Sequence, residues 1–264
     1  MDNMDSNNND FNPVHLLFII LGTIIFVSIA GALLIFVGGA TSSLLAEILI
    51  IVPAMIYVIA RKMPIRKSFR LNGINMEILA GTLVLSLSLY IIGDELDRLI
   101  YKFFPMPDQL FESLKYLLQI HSFGEGFIII FSGVVLAALT EEMLFRGALQ
   151  RTLEKHRDPA IAIVLSSVVF AVIHFNPWSA LQIMFLGLFL GYMAWKSDSI
   201  IPSMVLHGLN NLLSIVFINM PEDSLHWYAT EEHVRLPWIL VGLVLLVPAI
   251  RYFNSACHAK NTEI

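Results

Sequence analysis

The chain has 264 residues, of which 57% are hydrophobic and 14% are charged. A soluble domain is about 45–50% apolar and about 25% charged, so this composition excludes an ordinary soluble protein and predicts one whose solvent is the lipid bilayer. The net charge of −5 argues against a nucleic-acid partner, and the single cysteine, Cys257, excludes both an internal disulfide framework and a zinc site built on paired cysteines.

The apolar segments predict an all-α fold, a polytopic membrane bundle of about eight transmembrane helices. A transmembrane helix needs about 20 mostly apolar residues. Eight segments approach that length, namely 14–37, 43–60, 76–93, 126–147, 159–175, 178–195, 200–219 and 236–253. The polar, acidic residues 1–13 lack the basic start of a secretory signal, so the first segment is predicted to be a retained span.

The basic residues predict the orientation of these spans, because lysine and arginine concentrate in cytoplasmic loops. With an even number of spans both termini lie on one side, and the loops on that side hold twelve of the sixteen basic residues. The twelve are Arg61, Lys62, Arg66, Lys67, Arg70, Arg146, Arg151, Lys155, Arg157, Lys196, Arg251 and Lys260. Both termini are therefore predicted to be cytoplasmic. Residues 94–120 mix charges with apolar side chains and predict an amphipathic interfacial helix or a capping loop.

Two acidic side chains stand together in the fourth predicted span, within LAALTEEMLFRGALQ. An acidic side chain at mid-bilayer costs roughly 2.5–3.5 kcal/mol, so such residues indicate a paired or functional group. Glu142 and Arg146 are four residues apart on one helix face, which predicts a structural ion pair. Glu141 points about 100° away and is the functional candidate. Glu47, in the second span, is a further acid without an evident partner and is not assigned to the site.

Two more spans carry polar side chains that share a helix face. Phe170 and His174 are one turn apart in FAVIHF, and His207 and Asn211 are one turn apart in HGLNN. Polar groups in lipid face the bundle interior, so the three spans are predicted to converge on one site. Plainer interpretations exist for single residues. His174 could simply bond a backbone carbonyl, and Asn211, like Asn210, could hold two helices together.

The predicted helix bounds place the candidate site residues at different depths in the bilayer. Counted by residue, Glu141 and His207 lie towards the cytoplasmic half of the bilayer, whereas His174 lies near the far end of its span. A tilted helix, a longer fourth helix or a misplaced helix end would bring the three side chains together.

At these residues the sequence resembles the CPBP family, the CaaX-protease and bacteriocin-processing-type intramembrane endopeptidases. The family patterns Glu-Glu-x-x-x-Arg, Phe-x-x-x-His and His-x-x-x-Asn occur here in order as EEMLFR, FAVIH and HGLNN, over roughly residues 135–215. With this resemblance the chain divides into a polar tail at 1–13, N-terminal spans with the interfacial segment at 14–125, a catalytic core at 126–219, and a last span with a C-terminal tail at 220–264.

The resemblance implies hydrolysis of a peptide bond in a membrane-associated protein or peptide. It assigns catalysis to Glu141, His174, His207 and Asn211, and supporting roles to Glu142, Arg146 and Phe170. In the favoured mechanism a Glu/His-activated water attacks the peptide, His207 and Asn211 stabilise the oxyanion, and no cofactor is needed. A zinc ion held by Glu141, His174 and His207 is the alternative, although the His-Glu-x-x-His signature of zinc proteases is absent.

Other function classes stay open at this point. Buried acids and histidines also build proton relays, so a proton-coupled transporter is an alternative, although no two-fold repeat or pair of broken helices is visible. A non-enzymatic membrane scaffold or immunity factor would keep the same fold for binding alone. The compact multi-pass chain predicts an integral protein of the bacterial plasma membrane.

Overall fold

The computed structural model describes residues 10–34 and 39–262, and almost all of this part is helical. The helices are α1 (Pro13–Leu34), α2 (Gly39–Ala60), the short α3 (Ile65–Ser68), α4 (Met76–Phe103), α5 (Asp108–Leu118), the continuous helical segment α6 (Phe123–Glu154), α7 (Pro159–Val172), α8 (Ala180–Ser197), α9 (Ile201–Asn219) and α10 (Leu236–Thr262). A 3-10 turn, Glu222–Leu225, lies between α9 and α10. The described residues contain no strand beyond one isolated bridge, so the all-α prediction is confirmed.

Six of the described helices are long and apolar enough to cross a membrane, which confirms a multi-pass membrane architecture. They are α1, α2, α4, α6, α9 and α10. Helix α7 has 14 residues and is about 21 Å long at about 1.5 Å per residue, shorter than a bilayer core of about 30 Å. Helix α8 is not among the six either. The count of eight spans and the cytoplasmic termini stay predictions, and residues 1–9 and 35–38 of the predicted tail and first span lie outside the described part.

Several helix ends differ from the sequence prediction: α6 continues to Glu154 and α10 to Thr262, beyond the predicted 147 and 253. Helix α4 was predicted to end near residue 93 but continues to Phe103. Its added turns carry Arg98, whose Nε lies 3.3 Å from Asp94 Oδ1 one turn earlier and whose Nη1 donates to the carbonyl of Thr230 at 2.7 Å. These contacts hold Arg98 within the helix and against the loop before α10. The amphipathic element is therefore α5 alone, which buries none of its residues.

Aromatic packing joins the helices that carry the three motifs. Phe145 of α6 and Phe170 of α7 are almost fully buried and meet edge to face, with ring centroids 5.2 Å apart. Helix α9 lies against the backbone of α6, because a Cβ atom at Gly208 would come within 2.9 Å of the carbonyl oxygen of Val134. Glycine at this position therefore lets the two helices approach closely, which sets the distance of His207 from α6.

A cluster of charges ties the loop before α4 to the ends of α6 and α8. Arg70 donates from Nη1 and Nη2 to Glu154 at the end of α6, at 3.1 and 2.5 Å, and from Nε to Asp198 after α8, at 2.9 Å. Burial alone would lower the pKa of Arg70, but hydrogen bonds and charges from Glu154 and Asp198 raise it above its ordinary value. The guanidinium therefore stays charged and holds this end of the bundle together.

Candidate active site

A cavity of about 340 Å³ opens among α6, α7, α8 and α9. Its wall includes five of the seven residues singled out in the sequence, namely Glu141, Phe170, His174, His207 and Asn211. The other two, Glu142 and Arg146, are completely buried. The three helix faces therefore meet at one place, as the motif spacing predicted, while the chemical roles of the side chains stay predictions.

Glu141 presents an unbonded carboxylate oxygen to both imidazoles. Its Oε2 lies 3.9 Å from Nε2 of His174 and 3.9 Å from Nε2 of His207. These separations are too long for direct hydrogen bonds. The same oxygen is buried and has no hydrogen-bond partner. A buried acceptor without a donor is costly, so Oε2 marks a position where a donor such as water is needed.

His174 reaches the depth of Glu141 because α7 is shorter than the sequence predicted. The helix ends at Val172 rather than at residue 175, and His174 lies in the turn that follows. Phe175 adopts a left-handed conformation with φ of 49°, which turns the chain after the histidine. His174 Nδ1 donates to the carbonyl of Phe170 at 2.7 Å, and this bond leaves Nε2 facing Glu141. The ring thus bonds a backbone carbonyl and lines the site as well.

Glu142 joins two helices through one oxygen. Its Oε1 accepts from Arg146 Nη1 at 3.2 Å and from His207 Nδ1 at 3.0 Å, so the ion pair expected from spacing is present and also orients the imidazole of α9. Arg146 donates from Nη2 to the carbonyl of Gly187 at 3.2 Å, and its guanidinium carbon lies 4.2 Å from the centroid of the Phe170 ring. A cation held over an aromatic face is stabilised by the ring quadrupole.

Asn211 is fixed by a carbonyl of the facing helix. Its Nδ2 donates to Gly133 of α6 at 2.8 Å, which orients the amide and leaves a second N–H on the same nitrogen. Asn210, interpreted from the sequence as a helix-packing residue, lines the cavity too, with its Nδ2 3.4 Å from Asn211 Oδ1. Both amides therefore offer donors to the cavity.

The helix that carries the two glutamates is irregular on both sides of them. Glu141 and Glu142 end a regular stretch, Ala137–Glu142, which lies between π-helical stretches at Phe131–Leu136 and Met143–Gln150. Insertions of this kind occur often at functional sites because they change the direction in which side chains point. Hydrophobic periodicity gave no sign of them, so sequence reasoning missed this feature.

Sequence reasoning also left Glu47 unassigned, and the structure places it beside the site. Helix α2 packs against the stretch Ala137–Glu142, and Glu47 and Glu141 lie close enough to interact electrostatically. Glu47 Oε2 is buried without a hydrogen-bond partner. Ile50, one turn further along α2, lines a second cavity of about 220 Å³ together with Glu141 and His174. The signal available in the sequence was the presence of this acidic residue in an otherwise apolar helix.

The donor atoms resemble zinc ligands in type but not in spacing. Both imidazoles direct Nε2 at Glu141 and donate from Nδ1 to a carbonyl or carboxylate, an arrangement that also occurs in zinc sites. Three ligands at about 2.0–2.2 Å from one tetrahedral zinc would lie about 3.3–3.5 Å from one another, less than the 3.9 Å found here. Across residues 10–34 and 39–262 no group of three histidine, cysteine or acidic side chains is arranged to hold a metal ion.

Comparison with known proteins identifies the segment that carries this site. Residues 123–213, about a third of the chain, match the family model of the type II CAAX prenyl endopeptidases described as Rce1-like. That range contains all seven motif residues, and it overlaps the predicted core at 126–219, whose bounds stay a prediction. No curated protein and no solved structure matches the chain. Residues 123–213, in a chain with six described helices able to cross a membrane, are therefore similar to the CPBP, or CAAX protease, family of membrane proteins.

Proposed function

We propose that this protein is an intramembrane endopeptidase that cleaves a membrane-associated protein or peptide with a glutamate-activated water. The match of residues 123–213 to the type II CAAX prenyl endopeptidase model supports endopeptidase activity. One observation supports the mechanism above the others: Glu141 Oε2 is a buried acceptor without a donor, 3.9 Å from two imidazole nitrogens, at the wall of a 340 Å³ cavity. This is the position that a reactive water would fill.

The water is activated between Glu141 and His174. Since His174 Nδ1 donates to a carbonyl, the neutral ring has an unprotonated Nε2 that accepts a hydrogen bond. One water lying beside both groups donates one hydrogen to Glu141 Oε2 and the other to His174 Nε2, so that a lone pair on its oxygen faces the cavity. Glu141 takes the first proton as this oxygen attacks the scissile carbonyl carbon. When the C–N bond breaks, Glu141 returns that proton to the leaving nitrogen.

The oxyanion is stabilised by donors on α9. Asn211 has a second N–H free beside the one bound to Gly133. His207 already donates from Nδ1 to Glu142, so it donates to the oxyanion from Nε2 only as an imidazolium. Two carboxyl groups lie beside this ring and favour the charged form, with Glu142 Oε1 3.0 Å from Nδ1 and Glu141 Oε2 3.9 Å from Nε2. Donors aimed at a developing oxyanion in a dry site are typically worth a few kcal/mol each.

We also propose where the protein is located, and we name the functions that compete with a protease. We place the protein in a bacterial plasma membrane with both termini in the cytoplasm, as the basic loops predict. A proton-coupled transporter, a scaffold and an immunity factor are the alternatives, and none of them needs a peptide product. The presence or absence of such products therefore separates the classes.

The test is comparative peptidomics of membranes from cells producing the wild-type protein or Glu141→Gln. We expect peptide products that appear with the wild type and disappear with Glu141→Gln, whose side chain has the same shape but does not accept the proton. Glu77→Gln serves as a matched control, because Glu77 is exposed at the start of α4, and it should give the wild-type pattern. Identical patterns for the wild type and Glu141→Gln would remove the protease proposal.

A further inference from the structure

A second cavity, of about 250 Å³, adjoins the reaction cavity. The two cavities share Leu118 and Ser179 as wall residues, so they lie directly beside each other. The second cavity lies among the last turns of α4, helix α5 and the segment before α8, next to the part of the chain that matches the family model. No role has been given to it so far.

Four of its eleven wall residues are aromatic. Phe104 stacks on Trp178 with ring centroids 6.0 Å apart, and Tyr101 meets Phe111 with centroids 6.2 Å apart. All four rings line the cavity. Aromatic faces attract cations and also pack against the methylene stem of a long side chain. The wall therefore fits a ligand with an apolar stem and a positive head.

One carboxylate in this wall lacks a cation of its own. Asp97 lines the cavity one turn before Tyr101, and its electrostatic neighbours are Asp94 and Arg98. Arg98 is already engaged by Asp94 at 3.3 Å and by the carbonyls of Thr230 and Glu231, at 2.7 and 3.2 Å. Two acids thus share one cation that is otherwise occupied, which leaves Asp97 without an ion pair among the described residues. A positive ligand would supply the missing partner.

Lys115 lines the same cavity from α5 and makes an interaction of its own. It gives the cavity a wall of opposite charge to Asp97. An acidic substrate side chain would be drawn to Lys115, and a basic one to Asp97. The aromatic rings favour the basic one, because a carboxylate is repelled by the ring faces that attract a cation.

We propose that this cavity is a specificity subsite that binds a lysine or arginine side chain of the peptide being cleaved. Asp97 pairs with the cationic head, and the rings of Tyr101, Phe104 and Trp178 hold the stem. The inference rests on the proposed protease function for its substrate, but the binding step needs no cleavage. Binding in this subsite makes the enzyme selective for peptides with a basic residue at one fixed distance from the scissile bond.

The test measures peptide binding in the Glu141→Gln background, where the reaction is blocked. The probe is a fluorescent apolar peptide in which each position in turn carries lysine, norleucine or glutamate, added to protein in lipid nanodiscs. We expect lysine at one position to bind about tenfold more tightly than norleucine, the effect of one charge-assisted contact. Adding Asp97→Asn should bring that ratio close to one. Adding Glu112→Gln, an exposed acid of α5 outside the cavity wall, should preserve it.

Three results would overturn the subsite: equal binding of lysine and norleucine at every position, a preference for glutamate, or a lysine preference that survives Asp97→Asn. Cleavage of the same peptides by the otherwise wild-type protein tests the protease proposal separately. A lysine preference that depends on Asp97, with no cleavage of any peptide, would support the subsite and count against the protease.

Discussion

Two buried arginines of this bundle, Arg70 and Arg146, differ in how completely their clusters are hydrogen-bonded. Arg70, near the basic loops, donates from Nε, Nη1 and Nη2 to two carboxylates. Arg146, at the candidate site, donates from Nη1 to Glu142 and from Nη2 to a carbonyl, while its Nε has no partner. Glu142 Oε2 and Glu141 Oε2 are also buried without partners. One cluster is satisfied internally and the other is not.

From this difference we expect the cluster around Arg70 to contribute mainly to stability and the cluster around Arg146 to the proposed chemistry. A buried polar atom without a partner costs about 1–3 kcal/mol, so native proteins keep few of them. The cluster around Arg70 avoids this cost and connects loops. The cluster around Arg146 does not: Glu142 Oε2 and Arg146 Nε are buried away from the cavity, and Glu141 Oε2 lies in its wall, where water would complete the missing bond in the proposed mechanism. Both clusters are charged and buried, so the unsatisfied atoms are what distinguishes them.

The sharpest way to break this comparison is to remove one carboxylate charge from each cluster. Glu141→Gln should lower the cleavage rate about 10²–10⁴-fold, because it removes the general base while keeping the shape of the side chain. Its thermal unfolding should match the wild type, since Glu141 Oε2 makes no hydrogen bond. Glu154→Gln should do the reverse, because it weakens both contacts to Arg70 far from the cavity. Product formation and unfolding in detergent measure the two effects.

Glu141→Gln protein that cleaves at wild-type rate, or that unfolds as early as Glu154→Gln, would show that the unsatisfied cluster is structural after all.

Removing each arginine compares the two clusters by stability. Arg146→Met leaves Glu142, which is fully buried, without its cation, and losing one partner of a buried pair costs about 3–5 kcal/mol. Arg70→Met should cost less, because Asp198 is 60% exposed and stays hydrated, while Glu154, 11% exposed, keeps a hydrogen bond from Gln150 Nε2 at 2.8 Å. Chemical unfolding of both variants in the same detergent gives the two free energies. Equal losses would mean that burial of the partner acid does not set the cost.

Asn211 sharpens the comparison within a single helix. Asn211→Ala should lower kcat about 10²–10³-fold with little change in KM, as expected for a donor that acts mainly in the transition state. Asn219, in the last turn of α9, donates to carbonyls of Leu118 and Ile215 and lies outside the cavity wall. Asn219→Ala should therefore affect unfolding more than kcat. A rise in KM alone for Asn211→Ala would assign this amide to substrate binding.

Sequence reasoning succeeded where helix geometry alone decides which side chains meet. The pairs Glu142–Arg146 and His207–Asn211 are four residues apart, so a helix places each pair on one face whatever packs around it. The polar residues also had to face inwards, because lipid offers no hydrogen bonds. These two rules predicted the membrane bundle and the convergence of the motif residues on one cavity.

Sequence reasoning failed where contacts between helices determine the helix ends and the neighbours of a side chain. The early end of α7 at Val172 depends on the turn around Phe175, and the length of α4 depends on partners of Arg98 in a distant loop. The π-helical stretches around Glu141 leave no trace in hydrophobic periodicity. Glu47 could be recognised as an unusual acid, but its neighbour Glu141 is almost a hundred residues away and only the packing of α2 brings them together.

The smallest expected effect is that of a zinc chelator, which should leave the cleavage rate unchanged. In the proposed mechanism His207 is protonated on both nitrogens, so neither is available to a metal ion, and the 3.9 Å spacing from Glu141 Oε2 is wider than three zinc ligands allow. A known zinc peptidase in the same detergent controls for access of the chelator. Loss of activity that zinc restores would reverse the assignment, because His174 and His207 would then be neutral ligands whose Nδ1 bonds orient them towards the metal. In that case the unsatisfied oxygen of Glu141 would mark the place of an ion rather than of a water. The two clusters would still differ, because the cluster around Arg70 would be complete without a ligand and the candidate site would need the ion.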